Sequence, residues 1–248
     1  MPGPEMPPAR TAPLVMAQGL TRRYGPIRAI DGVDMSLERG DFLTVFGPNG
    51  AGKTTLLKTL ACLVKPTAGS LSIFGFDPRA HGDQVKRRIG LIAHTGLLYG
   101  GLSARDNLLF FARLYDLSEP ARRADSMLEE VGLRDRADDL VRTFSRGMQQ
   151  RLSIARALIH DPELVLLDEP YTGLDQHASR MLRGILEQIR GKGRTVVMVT
   201  HHLEEGLEVS TRIAIMTRGR LAWEAVAGSL SRDALEKLYL DVVGGSLS

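Results

Sequence analysis

Long apolar runs are missing from this chain of 248 residues. No stretch reaches the roughly 18 consecutive apolar residues that read as a bilayer-spanning helix. Cysteine is almost absent. The single Cys62, in the run "TLACLV", excludes an internal disulfide; the expectation is a reducing, cytosolic compartment and a small buried hydrophobe at that position. Aromatic residues make up only 5% of the chain, and no Lys/Arg run interleaves with them. The 32 basic and 29 acidic residues, net +3, are spread over the whole length, which argues against a nucleic-acid partner. Internal repeats are lacking. The first thirteen residues, "MPGPEMPPARTAP", hold five prolines and no apolar core of a leader. They read as a disordered tail over 1–13 rather than a signal peptide.

What is present is alternation. Three short apolar runs, "DFLTVFG" at 41–47, "ELVLLDE" at 163–169 and "TVVMVTH" at 195–201, each end in a polar or glycine-rich turn. This is how central strands of a parallel sheet read, buried on both faces. Helical patterns lie between them: "KTTLLKTLACLV" after the first, and Leu182, Ile185, Leu186 and Ile189 between the second and third. The fold class is therefore α/β, with a mostly parallel core sheet and its chemistry at the carboxyl ends of the strands. Residues 14–40 and 70–76 alternate instead and predict a small antiparallel sheet. Residues 103–160 predict a helical insert, with Ser103 capping "ARDNLLFFARLYDL", Ser118-Glu119-Pro120 opening a second helix and 145–160 forming a third.

"GPNGAGKT", Gly47 to Thr54, satisfies the phosphate-loop pattern G-x-x-x-x-G-K-[ST], directly after an apolar strand and at the start of a helix. The glycines let backbone N–H groups turn inward on phosphate oxygens. Lys53 supplies a mobile charge, and the Thr54 hydroxyl can ligate Mg²⁺. Gly47, Pro48, Asn49, Gly50, Ala51, Gly52, Lys53, Thr54 and Thr55 thus form the candidate ATP site. In "LVLLDEP", Asp168 ends a buried strand and is placed to hold Mg²⁺, and Glu169 can polarise a water for attack on the γ-phosphate. His201 ends the third run and could hydrogen-bond the γ-phosphate and hold the geometry of that water and glutamate; His202 reads as a bland surface residue. A second phosphate-facing element lies in "FSRGMQQRLSIARAL", 144–158. There Ser145 is a good N-cap, Gly147 permits close backbone approach, and the helix start favours an anion.

These motifs, in this order, resemble the ATP-binding subunits of ABC transporters, with the likeness running over about residues 14 to 240. The resemblance implies one ATPase domain over 14–240, a helical subdomain at about 95–160 and a C-terminal tail at 241–248. It also implies a P-loop NTPase fold, cofactors ATP and Mg²⁺, and a head-to-tail pair of ATPase subunits, as homo- or heterodimer. In such a pair Ser145 and Gly147 of one chain cover the ATP held by the P-loop of the other. "TGLD" at 172–175 looks like the D-loop, with Asp175 crossing the interface, and "TH" at 200–201 like the H-loop. Tyr24 lies where the family stacks an aromatic on adenine; a stray core tyrosine is the other reading. Two departures stand out. The family's first signature glycine is Arg146 and its glutamine is Met148, while the Q-loop glutamine falls on His94, or on Thr95 with a one-residue shift. His94 could ligate a metal or position a water, or the position could serve only to link ATP to a membrane partner.

The apolar stretch "GLLYGGLSARDNLLFF", 96–111, matches the place where the family receives a helix of the transmembrane subunit. The implied function is the energy-coupling ATPase of an exporter, peripheral on the cytoplasmic face of the cell membrane through separate transmembrane subunits. "AHTGLLY" and "YTGLDQHAS" look most like the cytochrome c maturation haem exporters. The alternatives are a multidrug-type exporter ATPase and a soluble ATPase that assembles a cytosolic complex such as iron–sulfur cluster machinery. The segment 221–248 contains a short amphipathic helix, with dimer contact as one option.

Overall fold

The computed structural model of the chain describes residues 12–93 and 97–245. Two sheets carry the chain. The antiparallel one, in the order β2-β1-β4, is built from β1 (Val15–Tyr24), β2 (Ile27–Leu37) and β4 (Ala68–Ile73). The other has six strands, in the order β5-β6-β7-β3-β8-β9: β5 (Ile89–Ile92), β6 (Leu164–Asp168), β7 (Thr195–Thr200), β3 (Phe42–Phe46), β8 (Arg212–Thr217) and β9 (Arg220–Val226). Its first five strands run parallel, and β9 pairs antiparallel with β8.

β3, β6 and β7 are buried at every residue, as their uninterrupted apolar runs demand. β3 lies between β7 and β8, strands that arrive about 150 residues later in the chain. The loop leaving β3 therefore opens at a point where the winding of the sheet reverses, a favoured place for a ligand crevice. Three strands of this sheet, β3, β6 and β7, are the ones expected from their apolar runs; β5, β8 and β9 go beyond that expectation. β5 and β8 are short apolar runs of the same kind, β5 entered from Arg87-Arg88 and β8 bounded by Arg212 and Arg218. β9 alternates exposed and half-buried residues as an edge strand does.

α1 (Lys53–Leu60) follows the loop after β3, and α2 (Pro78–Lys86) follows β4. The helical insert holds α3 (Ala104–Leu114), α4 (Pro120–Glu130) and α5 (Arg146–Leu158). The Ser103 hydroxyl caps α3 by accepting from the Asp106 N–H at 3.0 Å, and Ser145 caps α5 through Met148. Pro120 takes the first helical position of α4, where its missing N–H costs nothing. α6 (Gln176–Gly191) buries Leu182, Ile185, Leu186 and Ile189 as the 3.6 period requires. α7 (Leu203–Val209) and α8 (Arg232–Gly244) complete the chain. α8 runs across the 240/241 boundary expected for a tail, because "LYLDVV" offers no helix breaker before Gly244 and Gly245. It packs Leu235 and Tyr239 against Phe46, Leu203 and Leu207. Among the described residues no helix is long and apolar enough to cross a membrane.

Candidate functional site: a phosphate loop with paired acids

The loop between β3 and α1 is shaped by three close requirements. A Cβ on Gly47 would stand 2.2 Å from the Met216 carbonyl oxygen of β8, so the loop lies directly on backbone. Gly50 and Gly52 have φ of 80° and 106°, which L side chains rarely adopt, and Gly52 is the N-cap of α1. The Ala51 carbonyl accepts from the Gly219 N–H at 2.9 Å, which ties the loop to the β8–β9 turn. Lys53 is buried, and its Nζ donates to the Gly47 carbonyl at 2.6 Å and the Pro48 carbonyl at 3.2 Å. Burial pulls its pKa below the ordinary lysine value, against the opposing pull of Glu169 and Asp168.

The two acids stand on the far side. Asp168, the last residue of β6, is buried and accepts from the Thr54 hydroxyl at 3.1 Å. Two hard oxygen groups side by side, one hydroxyl and one carboxylate, fit a Mg²⁺ that keeps waters and phosphate oxygens in its other positions. His94 and Thr95, the other candidates for metal or water, lie outside the described residues. Glu169 has φ of 50°, a left-handed conformation that turns its side chain off the strand direction. Its carboxylate lies 3.8 Å from Lys53 Nζ and 2.9 Å from His201 Nδ1, and it also accepts from the His201 N–H at 3.3 Å. Glu169 and His201 thus meet directly at the end of β7. His202 instead takes the N-cap position of α7.

A cleft of about 700 Å³ lies over the loop, lined by Pro48 to Thr55, Asp168 and Glu169 together with Ile27, Arg28, Ala29, Ala93 and Arg218. Ile27, Arg28, Ala29 and Arg218 carry no motif; only their place beside the loop identifies them. Tyr24 is absent from that lining. It sits exposed beside the hairpin turn, under the Arg22 guanidinium at 4.5 Å, while its cross-strand partner Ile27 reaches the cleft. Ser145, Gly147 and Asp175 also lie outside it. A separate cleft of about 390 Å³ holds Arg146, Gln149 and Ser153 from α5 and shares Asp168 and Glu169 with the first. The starts of α5 and α6 touch. A Cβ on Gly147 would meet the Ala178 Cβ at 2.8 Å, and one on Gly173 would meet Arg146 Nη1 at 2.4 Å. Asp175 caps α6 by accepting from the Ala178 N–H at 2.8 Å.

A glycine loop opening a helix, a buried lysine, and an acid pair with its histidine define a nucleotide-hydrolysing P-loop protein. The sequence matches the family described as ABC transporter over residues 30–172. It is 39% identical over 221 residues to the daunorubicin resistance ATP-binding protein DrrA3 of Streptomyces coeruleorubidus, covering 88% of this chain and 70% of that one. It is 34% identical to the Nod factor export ATP-binding protein I of Ralstonia nicotianae, over 88% of this chain and 68% of that one. Among solved structures it is similar to the ATP-binding cassette MJ0796 in a dimeric post-hydrolysis state bound to ADP and Pi, with TM-score 0.78, 28% identity, and 86% and 98% of the two chains covered. The chain belongs to the ABC transporter family and is an ATP-binding, ATP-hydrolysing cassette. The relatives support drug and antibiotic resistance export better than the haem export suggested by "AHTGLLY" and "YTGLDQHAS".

Proposed function

We propose that this chain is the energy-coupling ATPase of a drug-resistance-type exporter, paired with a second ATPase chain on the cytoplasmic face of separate transmembrane subunits. The observation that carries the pairing is the absence of Ser145 and Gly147 from the lining of their own P-loop cleft. Their capped helix start is an anion site without a phosphate loop of its own, and a head-to-tail partner supplies one. Asp175 serves the same interface, and the adenine ring would stack on Tyr24, which is exposed at the β1–β2 turn opposite the cleft-lining Ile27.

In the closed pair the P-loop amides and Lys53 hold the β- and γ-phosphates. Thr54 and Asp168 would hold Mg²⁺, which neutralises phosphate charge. Glu169 accepts a proton from the attacking water, and His201, bonded to the same carboxylate, orients it. The membrane partner docks on the insert. Leu102, Phe110 and Leu114 are exposed there and line a groove on α3 with Leu109, and exposed Leu97 and Tyr99 stand beside it. That groove also favours the exporter over a soluble assembly ATPase.

Glu169→Gln tests the reading. It is expected to keep ATP binding, lose hydrolysis by ~100-fold or more, and trap an ATP-dependent dimer. The tagged variant, purified with ATP from detergent-solubilised membranes, is expected to bring down a polytopic membrane protein in stoichiometric yield. Unchanged turnover would refute the role of Glu169, and recovery with cytosolic partners alone would refute the exporter.

A further inference from the structure

β5 is the outer strand of the six-stranded sheet, so one row of its backbone groups has no strand partner. α5 covers that row. Arg156 donates from Nη2 to the Leu91 carbonyl, and His160 Nε2 lies 3.1 Å from the Ile89 carbonyl. Between them the helix backbone rests on Gly90, where a Cβ would stand 2.5 Å from the Ala157 carbonyl oxygen. The spacing is a physical match. Carbonyls two residues apart on one strand edge are ~6.6 Å apart; Arg156 in the last turn of α5 and His160 in the turn just after Leu158 reach the two carbonyls that flank Gly90. The pairing is antiparallel: His160, the later of the two, meets the earlier strand residue Ile89, and Arg156 meets Leu91. The start of α5, about 20 Å away along its axis, therefore points to the catalytic edge of the sheet. The cleft shared by Arg146, Gln149, Asp168 and Glu169 agrees with that direction.

The latch has a second side. A carbonyl can only accept, so His160 carries its proton on Nε2; Nδ1 is buried with no partner among the described residues. The Tyr115 ring stacks on the imidazole at 3.8 Å between centroids and 4° between planes, and Phe111 lies 5.2 Å from the Arg156 guanidinium. Both aromatics belong to the α3 segment whose adjacent face, ~100° round the helix, carries Phe110 and Leu114 in the exposed groove, and the Phe110 ring meets the Phe111 ring edge-on at 5.2 Å.

We propose that Arg156 and His160 are positioning residues: they register α5 against the edge of β5 and, through Phe111 and Tyr115, couple occupancy of the α3 groove to the anion-binding start of α5. This rests on the exporter reading above for what the groove and the helix start bind. A slip of α5 by even one residue breaks both hydrogen bonds and moves Ser145 by ~1.5 Å. The P-loop, which dominates nucleotide affinity, is untouched by such a slip, whereas closure over the γ-phosphate is not.

The test uses the full chain and its His160→Leu and His160→Gln variants, with folding checked by circular dichroism. His160→Leu is expected to lower kcat at least tenfold with KM for MgATP changed less than threefold. His160→Gln, whose side-chain amide can still donate to the Ile89 carbonyl, is expected within threefold of the parent. Without nucleotide, amide hydrogen exchange at 146–152 is expected to quicken in His160→Leu only. Turnover within twofold of the parent, equal losses in both variants, or unchanged exchange would overturn the proposal. Should His160→Leu not fold, Tyr115→Leu is read by the same two measures. A parent chain that hydrolyses no ATP would sink the exporter reading, and the exchange data would still decide the latch.

Discussion

Between pH 7.5 and pH 5, His160 is expected to cost this protein about 2 kcal/mol of stability. Burial is the main cause: it lowers the pKa of the ring from 6.5 to about 4, with the Arg156 and Arg123 cations acting the same way and the Ile89 carbonyl and Asp161 opposing. In the unfolded chain the imidazole takes up a proton near 6.5; in the fold it does not until near 4. Over the interval between, the unfolded state binds more protons, so stability falls as the pH falls. The stabilisation is fully present above 6.5, declines below it and is gone below about 4. A shift of that size amounts to roughly 3 kcal/mol over the whole window, of which about 2 kcal/mol is lost by pH 5.

Urea unfolding of the parent and His160→Gln at both pH values isolates the effect, since every carboxylate is common to the two chains. With a urea slope of ~2 kcal/mol/M for a chain of this size, the parent midpoint is expected to drop roughly 1 M further than that of the variant. Parallel midpoints would refute the reasoning. They would mean that the ring is hydrated in the native state, or that Nδ1 has an acceptor for its second proton.

Three further outcomes are expected. Gly47→Ala forces a methyl onto the Met216 carbonyl at 2.2 Å, a backbone contact that cannot swing aside; nucleotide affinity by fluorescent-ATP titration should fall ~100-fold or more, as judged from the two or more phosphate hydrogen bonds that a displaced loop would lose. Ser145→Arg should abolish the ATP-dependent dimer of the Glu169→Gln chain on size-exclusion chromatography while leaving nucleotide affinity of the monomer within about threefold, because the P-loop cleft lies elsewhere. Phe110→Asp combined with Leu114→Asp should leave hydrolysis by the isolated chain unchanged and remove the membrane protein from the purification, since a carboxylate buried in an apolar interface is costly.

Much of the catalytic edge was legible because its chemistry needs fixed residue types at fixed spacing along one short segment. The phosphate loop is continuous in sequence, Asp168-Glu169 ends an unmistakable buried run, and the Ser145 cap declares itself by residue type, whereas the capping of α6 by Asp175 emerges only in the structure. The edges of the sheet were not legible. β5 has four residues, too few for a period to speak, and β8 is a run like β3 that lacks a motif to mark it. Ile27, Arg28, Ala29 and Arg218 have no local signal for binding; they line the cleft over the phosphate loop because the β1–β2 hairpin and the β8–β9 turn fold over it. Tyr24 is marked only by its place in the chain; that it stands exposed while its cross-strand partner Ile27 lines the cleft is decided by the hairpin.

Sequence alone, then, determined the local elements: which runs bury themselves on both faces, where helices start, and where backbone can curl around phosphate. Those properties depend on neighbours a few residues away. Only the tertiary structure decided which strand lies beside which, that β3 stands between strands from the far end of the chain, and that Arg156 and His160 meet the carbonyls of a strand more than sixty residues earlier. Such pairings arise from burial and hydrogen bonding between distant segments, and no period or motif within either segment records them.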